Sequence, residues 1–289
     1  MRLDELYQFN QPDISIELFP PKTEKGDKQL FETVESLKAL NPAFFSMTYG
    51  AAGSTRDRTL DLCNQLKNES GVETMCHLTV VGQSKDQVQS NLKRLKEMGI
   101  YNVLALRGDP PAGDSSFQPH PDGFGASVEL IETAKADPWF SVAASGFPEV
   151  HPEAKDRASD IAYAKRKVEA GAAVIITQLF FDNAHYFSYV EALRKAGVTV
   201  PVVPGILPIL SVPQVRRFTE LCKTSIPSDV EVALQKHAHD DEGATQYGIE
   251  LATRQCEGLL KAKAPGIHFY ALNKTHSVET ILHNLGMAH

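Results

Sequence analysis

The feature that most limits what this chain can fold into is the regular alternation of short apolar, β-branched runs with amphipathic segments. The runs are "ISIELFP" from Ile14, "FFSMTYG" from Phe44, "ETMCHLTV" from Glu73, "NVLALRG" from Asn102, "SVAASGFP" from Ser141, "AVIITQLF" from Ala173, "VPVVPGIL" from Val200 and "IHFYALN" from Ile267. Between them lie segments such as "KQLFETVESLKAL", "QVQSNLKRLKEMG" and "ASDIAYAKRKVEAGA", with apolar residues three and four apart and glycine often after the last turn. Eight strand–helix units without a break predict an α/β fold with parallel strands closed into a (β/α)8 TIM barrel. A length of 289 residues suits one such domain over 1–289. The main irregularity is a longer segment between the seventh and eighth strands, Ser225 to Lys263, whose helical tail follows the polar stretch "HAHDDEGATQ". An open doubly wound sheet is the alternative, but no GxGxxG follows the first run and no GxxxxGK[ST] occurs.

Composition narrows the function. A hydrophobic content of 42% supports a sizeable core, and a net charge of −7 with no long basic run argues against nucleic acid. No apolar stretch approaches the roughly 20 residues of a membrane helix. "MRLDELYQFNQ" carries acids where a signal peptide is apolar, so a cytoplasmic protein acting on small molecules is expected. Cys63, Cys76, Cys222 and Cys256 lack metal-type spacing and read as small buried hydrophobes.

In a barrel of this kind the chemistry sits at the C-terminal strand ends. Those ends hold Glu17, Thr48, His77, Arg107, Asp109, Phe147, Glu149, Gln178 and Asn273. Strand alternation puts Ser15, Glu17 and Phe19 on one face and Ile16 and Leu18 on the other. The aliphatic face suits the helix layer, which turns Glu17 into the barrel mouth. A carboxyl group in a partly dry site can donate a proton near neutral pH; a structural carboxylate paired with a base remains the alternative. His77 and Cys76 point to opposite faces and cannot share a metal. His237 and His239 with Asp240 and Asp241 read as a solvated polar loop, and no metal is expected.

The pieces "ELFPPK", "SMTYGAAGSTRDRT", "HLT", "ALRGDPP", "FPEVHPEA", "DIAYAKRKVEAGA", "ITQLFFD", "PGILPI" and "HFYALNK" occur in this order over nearly the whole chain. With them the chain resembles the methylenetetrahydrofolate reductase family, in its bacterial-type form with the catalytic domain only. The resemblance implies an FAD-dependent barrel enzyme that passes hydride from NADH or NADPH to 5,10-methylenetetrahydrofolate. The product, 5-methyltetrahydrofolate, supplies methyl groups for methionine synthesis. Glu17 then matches the acid that protonates folate N10, Asp109 the carboxylate between flavin and pterin, and Gln178 the amide that binds the pterin. Thr48, His77, Arg107, Gly108, Asp109, Ala126, Phe147, His151, Asp160, Tyr163, Arg166 and Lys167 fall on or beside flavin-contacting positions. Homo-oligomers are usual among such enzymes.

Helical spacing agrees with one part of this, since Asp160 and Lys167 share a face with Tyr163 between them. Read alone, "AKRKVE" is a solvated helix face. The chain departs from the family pattern where Val212 stands in place of a substrate-stacking aromatic and Lys274 in place of an arginine near the substrate. It departs again at Phe147, which replaces a tyrosine after an apparent insertion of Ser145 and Gly146. Two other readings compete: a non-catalytic folate- or flavin-binding subunit that acts with a partner, and a Schiff-base lyase. The lyase needs a desolvated lysine at a strand end, and Lys274 is the nearest. NADH, NADPH and a reduced iron–sulfur donor are all compatible with these residues.

Overall fold

A computed structural model describes residues 1–7, 11–49, 56–110 and 116–287. Gly50 to Thr55 of "SMTYGAAGSTRDRT" and Pro111 of "ALRGDPP" lie outside the described residues. In chain order the elements are α1 (Leu3–Leu6), β1 (Asp13–Leu18), α2 (Glu24–Lys38), β2 (Phe44–Met47), α3 (Arg56–Ser70), β3 (Thr74–Thr79), α4 (Lys85–Glu97), β4 (Asn102–Leu106), α5 (Ser127–Lys135) and β5 (Ser141–Gly146). There follow α6 (Arg157–Glu169), β6 (Val174–Thr177), α7 (Asn183–Lys195), β7 (Val202–Val203), β8 (Gly205–Ile206), α8 (Val212–Cys222), α9 (Ser228–Lys236), α10 (Asp241–Lys261), β9 (Gly266–Tyr270) and α11 (His276–Asn284). Every pairing is parallel, in the order β7-β6-β5-β4-β3-β2-β1-β9-β8.

The expected barrel is present, with one correction: the seventh run is divided rather than a single strand. Val202 and Val203 pair with β6, while Gly205 and Ile206 pair with β9. Pro204 between them has no N–H to extend a ladder, but its carbonyl accepts from His268 N at 2.9 Å. One short run thus serves both neighbours and closes the barrel.

Alternation sorts the side chains into two layers. Ile16, Leu18, Phe45, Met47, Cys76, Leu78, Val103 and Ala105 pack outward against the helices. Phe44, Met75, Leu104, Ala143, Val174, Ile176 and Val203 point inward and pack with Leu3 and Leu6 of α1. Leu3 N donates to Asn102 Oδ1 and Asp4 N to Ser141 Oγ, both at 3.1 Å. Asn102 and Ser141 open β4 and β5, so α1 plugs the N-terminal end of the barrel. Above this apolar floor the inward positions become polar, with Ser15, Glu17, His77, Thr79 and His268 all buried.

The longer segment before β9 forms α9 and α10. The polar stretch expected to be a loop contains the start of α10: Asp240 accepts from Gly243 N at 2.9 Å and lies 3.1 Å from His237 Nδ1. This is an N-cap, which satisfies a backbone donor that the first turn leaves free. Among the described residues no helix is long and apolar enough to cross a membrane.

Candidate active site

Glu17 is next to last in β1, and its neighbours Ile16 and Leu18 are wholly buried in the helix layer. Its own side chain therefore turns inward, where the residue is only 6% exposed. Its Oε2 lies 3.3 Å from His268 Nε2 and 3.4 Å from His77 Nε2. Burial lowers the His77 pKa to about 4, against the opposing pull of Glu17, so that ring is neutral at pH 7. Above Glu17, Asn273 clamps the first strand to the last: its Oδ1 accepts from Phe19 N and its Nδ2 donates to Phe19 O, both at 2.9 Å. Asn273 can do so because it adopts a left-handed φ of 55°, which asparagine tolerates better than most residues. It is a structural clamp.

Of the residues expected from the sequence, Glu17, Thr48, His77, Gly108, Asp109, Phe147 and Gln178 line one cavity of about 320 Å3 at the barrel mouth. Gly108 has φ +88°, and a Cβ there would fall 2.5 Å from Val81 Cγ1 and 3.1 Å from Thr79 Cβ. Only glycine fits both the conformation and the space. Gln178 Oε1 accepts from Leu179 N at 2.9 Å, which leaves its amide nitrogen free to donate.

A second group flanks the cavity. Lys167 is buried, donates to Ser145 O at 2.8 Å and lies 5.1 Å over the Tyr163 ring. Burial lowers its pKa to about 8, although Asp160 opposes the shift. Asp160 is buried too; its pKa is raised by that burial, and its Oδ2 has no hydrogen-bond partner. Tyr163 OH is 3.4 Å from Ser127 Oγ, which joins α6 to the start of α5, where Ala126 is the N-cap. Arg166 is exposed, 5.7 Å from the Tyr163 ring. Arg107 pairs with Glu153 through both carboxylate oxygens, which raises its pKa, and stacks 4.8 Å from Phe117. His151 packs edge-on against Phe147 at 4.5 Å. Glu149 accepts from Ser225 N at 3.0 Å and ties the loop after β5 to the segment before α9.

Two expected substrate residues lie elsewhere. Val212 is the first residue of α8, 7% exposed and packed with Leu207, Ile209 and Val215, because Ser211 caps the helix through Gln214 N and turns position 212 into the core. Val212 itself is not among the residues that line the cavity. Val212→Phe should destabilise the fold by about 1–3 kcal/mol through overpacking, with the folate KM unchanged; a urea midpoint and a KM measurement check both. Lys274 is exposed at an open depression of about 570 Å3 beside Gln29 and Thr33.

The cavity also uses residues not expected from the sequence. Phe218 and Cys222 of α8 and Tyr270 of β9 line it. Tyr270 OH donates to Thr177 O at 2.7 Å, so its ring forms the wall. Burial, then Asp109 and Glu17, push the Cys222 thiol up to about 11.

The profile of the methylenetetrahydrofolate reductase family matches residues 2–286. The chain belongs to this family. Among curated relatives it is 41% identical over 284 residues to methylenetetrahydrofolate reductase (NADH) 1 of Zea mays, a match that covers 94% of this chain and 48% of the relative. The chain thus spans about half the length of the plant relatives it matches. It is 33% identical over 277 residues to the 5,10-methylenetetrahydrofolate reductase of Salmonella typhimurium, covering 96% of this chain and 92% of that one. Among solved structures, a Clostridium thermocellum protein described as binding two copies of 5-methyl-5,6,7,8-tetrahydrofolic acid superposes with a TM-score of 0.64. That match covers 98% of this chain and 97% of the other at 14% identity, a likeness of fold alone.

Proposed function

We propose that the chain is a 5,10-methylenetetrahydrofolate reductase in which the whole barrel acts as one flavin-dependent catalytic unit. The observation that carries this reading is the Glu17 carboxyl, buried at the base of the strand-end cavity beside a neutral His77 and within reach of His268.

The residues present fit a flavin. Asp160 Oδ2, His77 Nε2 and Thr79 Oγ1 are buried without hydrogen-bond partners, a costly state that hydroxyls and ring heteroatoms of a ligand would relieve. Gly108 keeps the backbone beside the cavity uncovered. Bound FAD would supply hydride transfer between a nicotinamide nucleotide and the folate. Thr48, His77, Gly108 and Phe147 would hold it at the cavity. Ala126, Asp160, Tyr163, Arg166 and Lys167 would hold it along α5 and α6, with His151 from the loop before α6 and Arg107 at the edge. Gln178 would donate to the pterin. Asp109 would place a carboxylate where the opened folate carries positive charge. Glu17 would protonate N10 and so release the reactive N5 iminium. The reading includes a nicotinamide donor, a homo-oligomer, a cytoplasmic location and delivery of methyl groups toward methionine.

The test is an absorption spectrum of the purified protein, then anaerobic bleaching by NADH and by NADPH and colour recovery on adding methylenetetrahydrofolate. A yellow protein that releases FAD on denaturation is expected. Saturating FAD that neither binds nor supports turnover would overturn the reading, and binding without turnover would favour a folate- or flavin-binding subunit.

Lys167 gives a second expectation. A phosphate beside it favours the ammonium form, so FAD binding should take up a proton above about pH 8, and affinity should fall as pH rises beyond that value. Lys167→Ala should weaken FAD retention by about 1.5–3 kcal/mol and remove this pH dependence, with folate affinity little changed. Flavin fluorescence titration reads both.

A further inference from the structure

Beneath Glu17 lies a buried hydrogen-bond chain that the proposed reaction does not yet use. His268 is fully buried in β9, directly opposite Ser15 in the β1·β9 register. Its Nδ1 is 2.8 Å from Ser15 Oγ and its Nε2 3.3 Å from Glu17 Oε2. The ring is held from both sides, stacked on Phe44 at 6.1 Å and met edge-on by Tyr270 at 5.5 Å. His77, at a similar distance from the same oxygen, differs in kind: it lines the cavity and its Nε2 makes no hydrogen bond.

We infer that His268 is the positioning residue for Glu17, donating Nε2–H to Oε2 while the Ser15 hydroxyl donates to Nδ1 and fixes that tautomer. The inference rests on the reading of Glu17 as the proton donor. An ionised carboxylate only accepts, so the nitrogen facing it must carry the proton, and a neutral ring then accepts at its other nitrogen. When Glu17 is protonated on Oε1, Oε2 is a carbonyl oxygen and accepts the same N–H. The pattern is therefore unchanged as the proton leaves Oε1 for folate N10, and no side chain has to turn. What changes is strength: the bond to Oε2 becomes charge-assisted as the carboxylate forms, which stabilises the product side of the transfer. The other titratable groups around Glu17 are His77 from β3, Asp109 after β4, Tyr270 from β9 and Cys222 from α8. Among the described residues none of these makes a hydrogen bond to Oε2.

The test uses the holoenzyme and stopped-flow re-oxidation of the flavin by methylenetetrahydrofolate across pH. This half-reaction needs protonated Glu17, so its rate should fall as pH rises. Glu17→Gln should remove that fall; if the fall persists in Glu17→Gln, the reading of Glu17 as the acid fails, whatever His268 does. His268→Leu removes the donor to the charged form, so the fall should move up by about one pH unit and the low-pH rate should drop by up to about 10-fold, with folate KM little changed. His268→Gln keeps an N–H toward Glu17 and should restore both. Ser15→Ala, which only unfastens the tautomer, should move the fall in the same direction by less, and it carries the test if His268→Leu does not fold. A separate readout needs no turnover: two-bond 1H–15N spectra of the histidine rings should show His268 protonated at Nε2. An Nδ1–H tautomer for His268, an unshifted profile in both His268→Leu and Ser15→Ala, or no rescue by glutamine would each overturn the inference.

Discussion

Glu17→Gln should leave reduction of the flavin by the nicotinamide nucleotide near the wild-type rate while slowing re-oxidation by methylenetetrahydrofolate by roughly 10²–10⁴. Glutamine keeps the size of the side chain and can still accept at its carbonyl from His268, so the cavity wall is preserved. It has no acidic proton, so ring opening loses its donor, whereas hydride transfer from nicotinamide needs none. Stopped-flow absorbance separates the two steps. Asp109→Asn is the control, since Asp109 is exposed at the cavity rim and its charge bears on both half-reactions. Normal re-oxidation in Glu17→Gln would make Glu17 a structural carboxylate and move the proton source elsewhere.

The second large effect is on stability. Gly205→Ala should cost about 3 kcal/mol, seen as a lower urea midpoint with an unchanged slope. A Cβ at position 205 would fall 2.3 Å from Thr177 O and 2.7 Å from the Tyr270 ring. Thr177 O is a backbone atom that also accepts from Tyr270 OH, and Gly205 N donates to Thr177 Oγ1 at 3.0 Å. The added methyl group therefore opposes the hydrogen bonds that join β6, β8 and β9, and none of these atoms is the loose end of a flexible chain. A midpoint within experimental error of wild type would show that this seam yields at little cost.

Glu17 could be read from the sequence because strand alternation is a local rule: apolar residues at 16 and 18 fix the direction of 17 wherever the strand ends up. The same rule turned His77 away from Cys76 and toward the cavity. His268 could not be found that way, because its partner Glu17 is 251 residues away and the register of the last strand against the first is a property of closure. Val212 shows a different limit. Aligning by resemblance puts it at a stacking position, yet "SVPQV" carries a helix start, with Ser211 as cap and proline in the first turn. That signal turns Val212 into the core, while Phe218, further along α8, lines the cavity. The seventh run reads as one strand in the sequence; its division follows from Pro204, which has no N–H to continue a ladder.

The union of β1 with β9 also makes the surroundings of the proposed acid depend on the joining of the first strand to the last. Until residues 266–270 are laid beside residues 13–17, Glu17 has no imidazole from β9 beneath it and Phe19 has no Asn273 to fasten it. A chain still emerging from the ribosome, or one refolding from denaturant, then carries only an ordinary solvated glutamate there. Recovery of folate-dependent flavin re-oxidation during refolding becomes a clock for the meeting of the two ends of the barrel, and it should lag behind the return of helical signal from the middle of the chain.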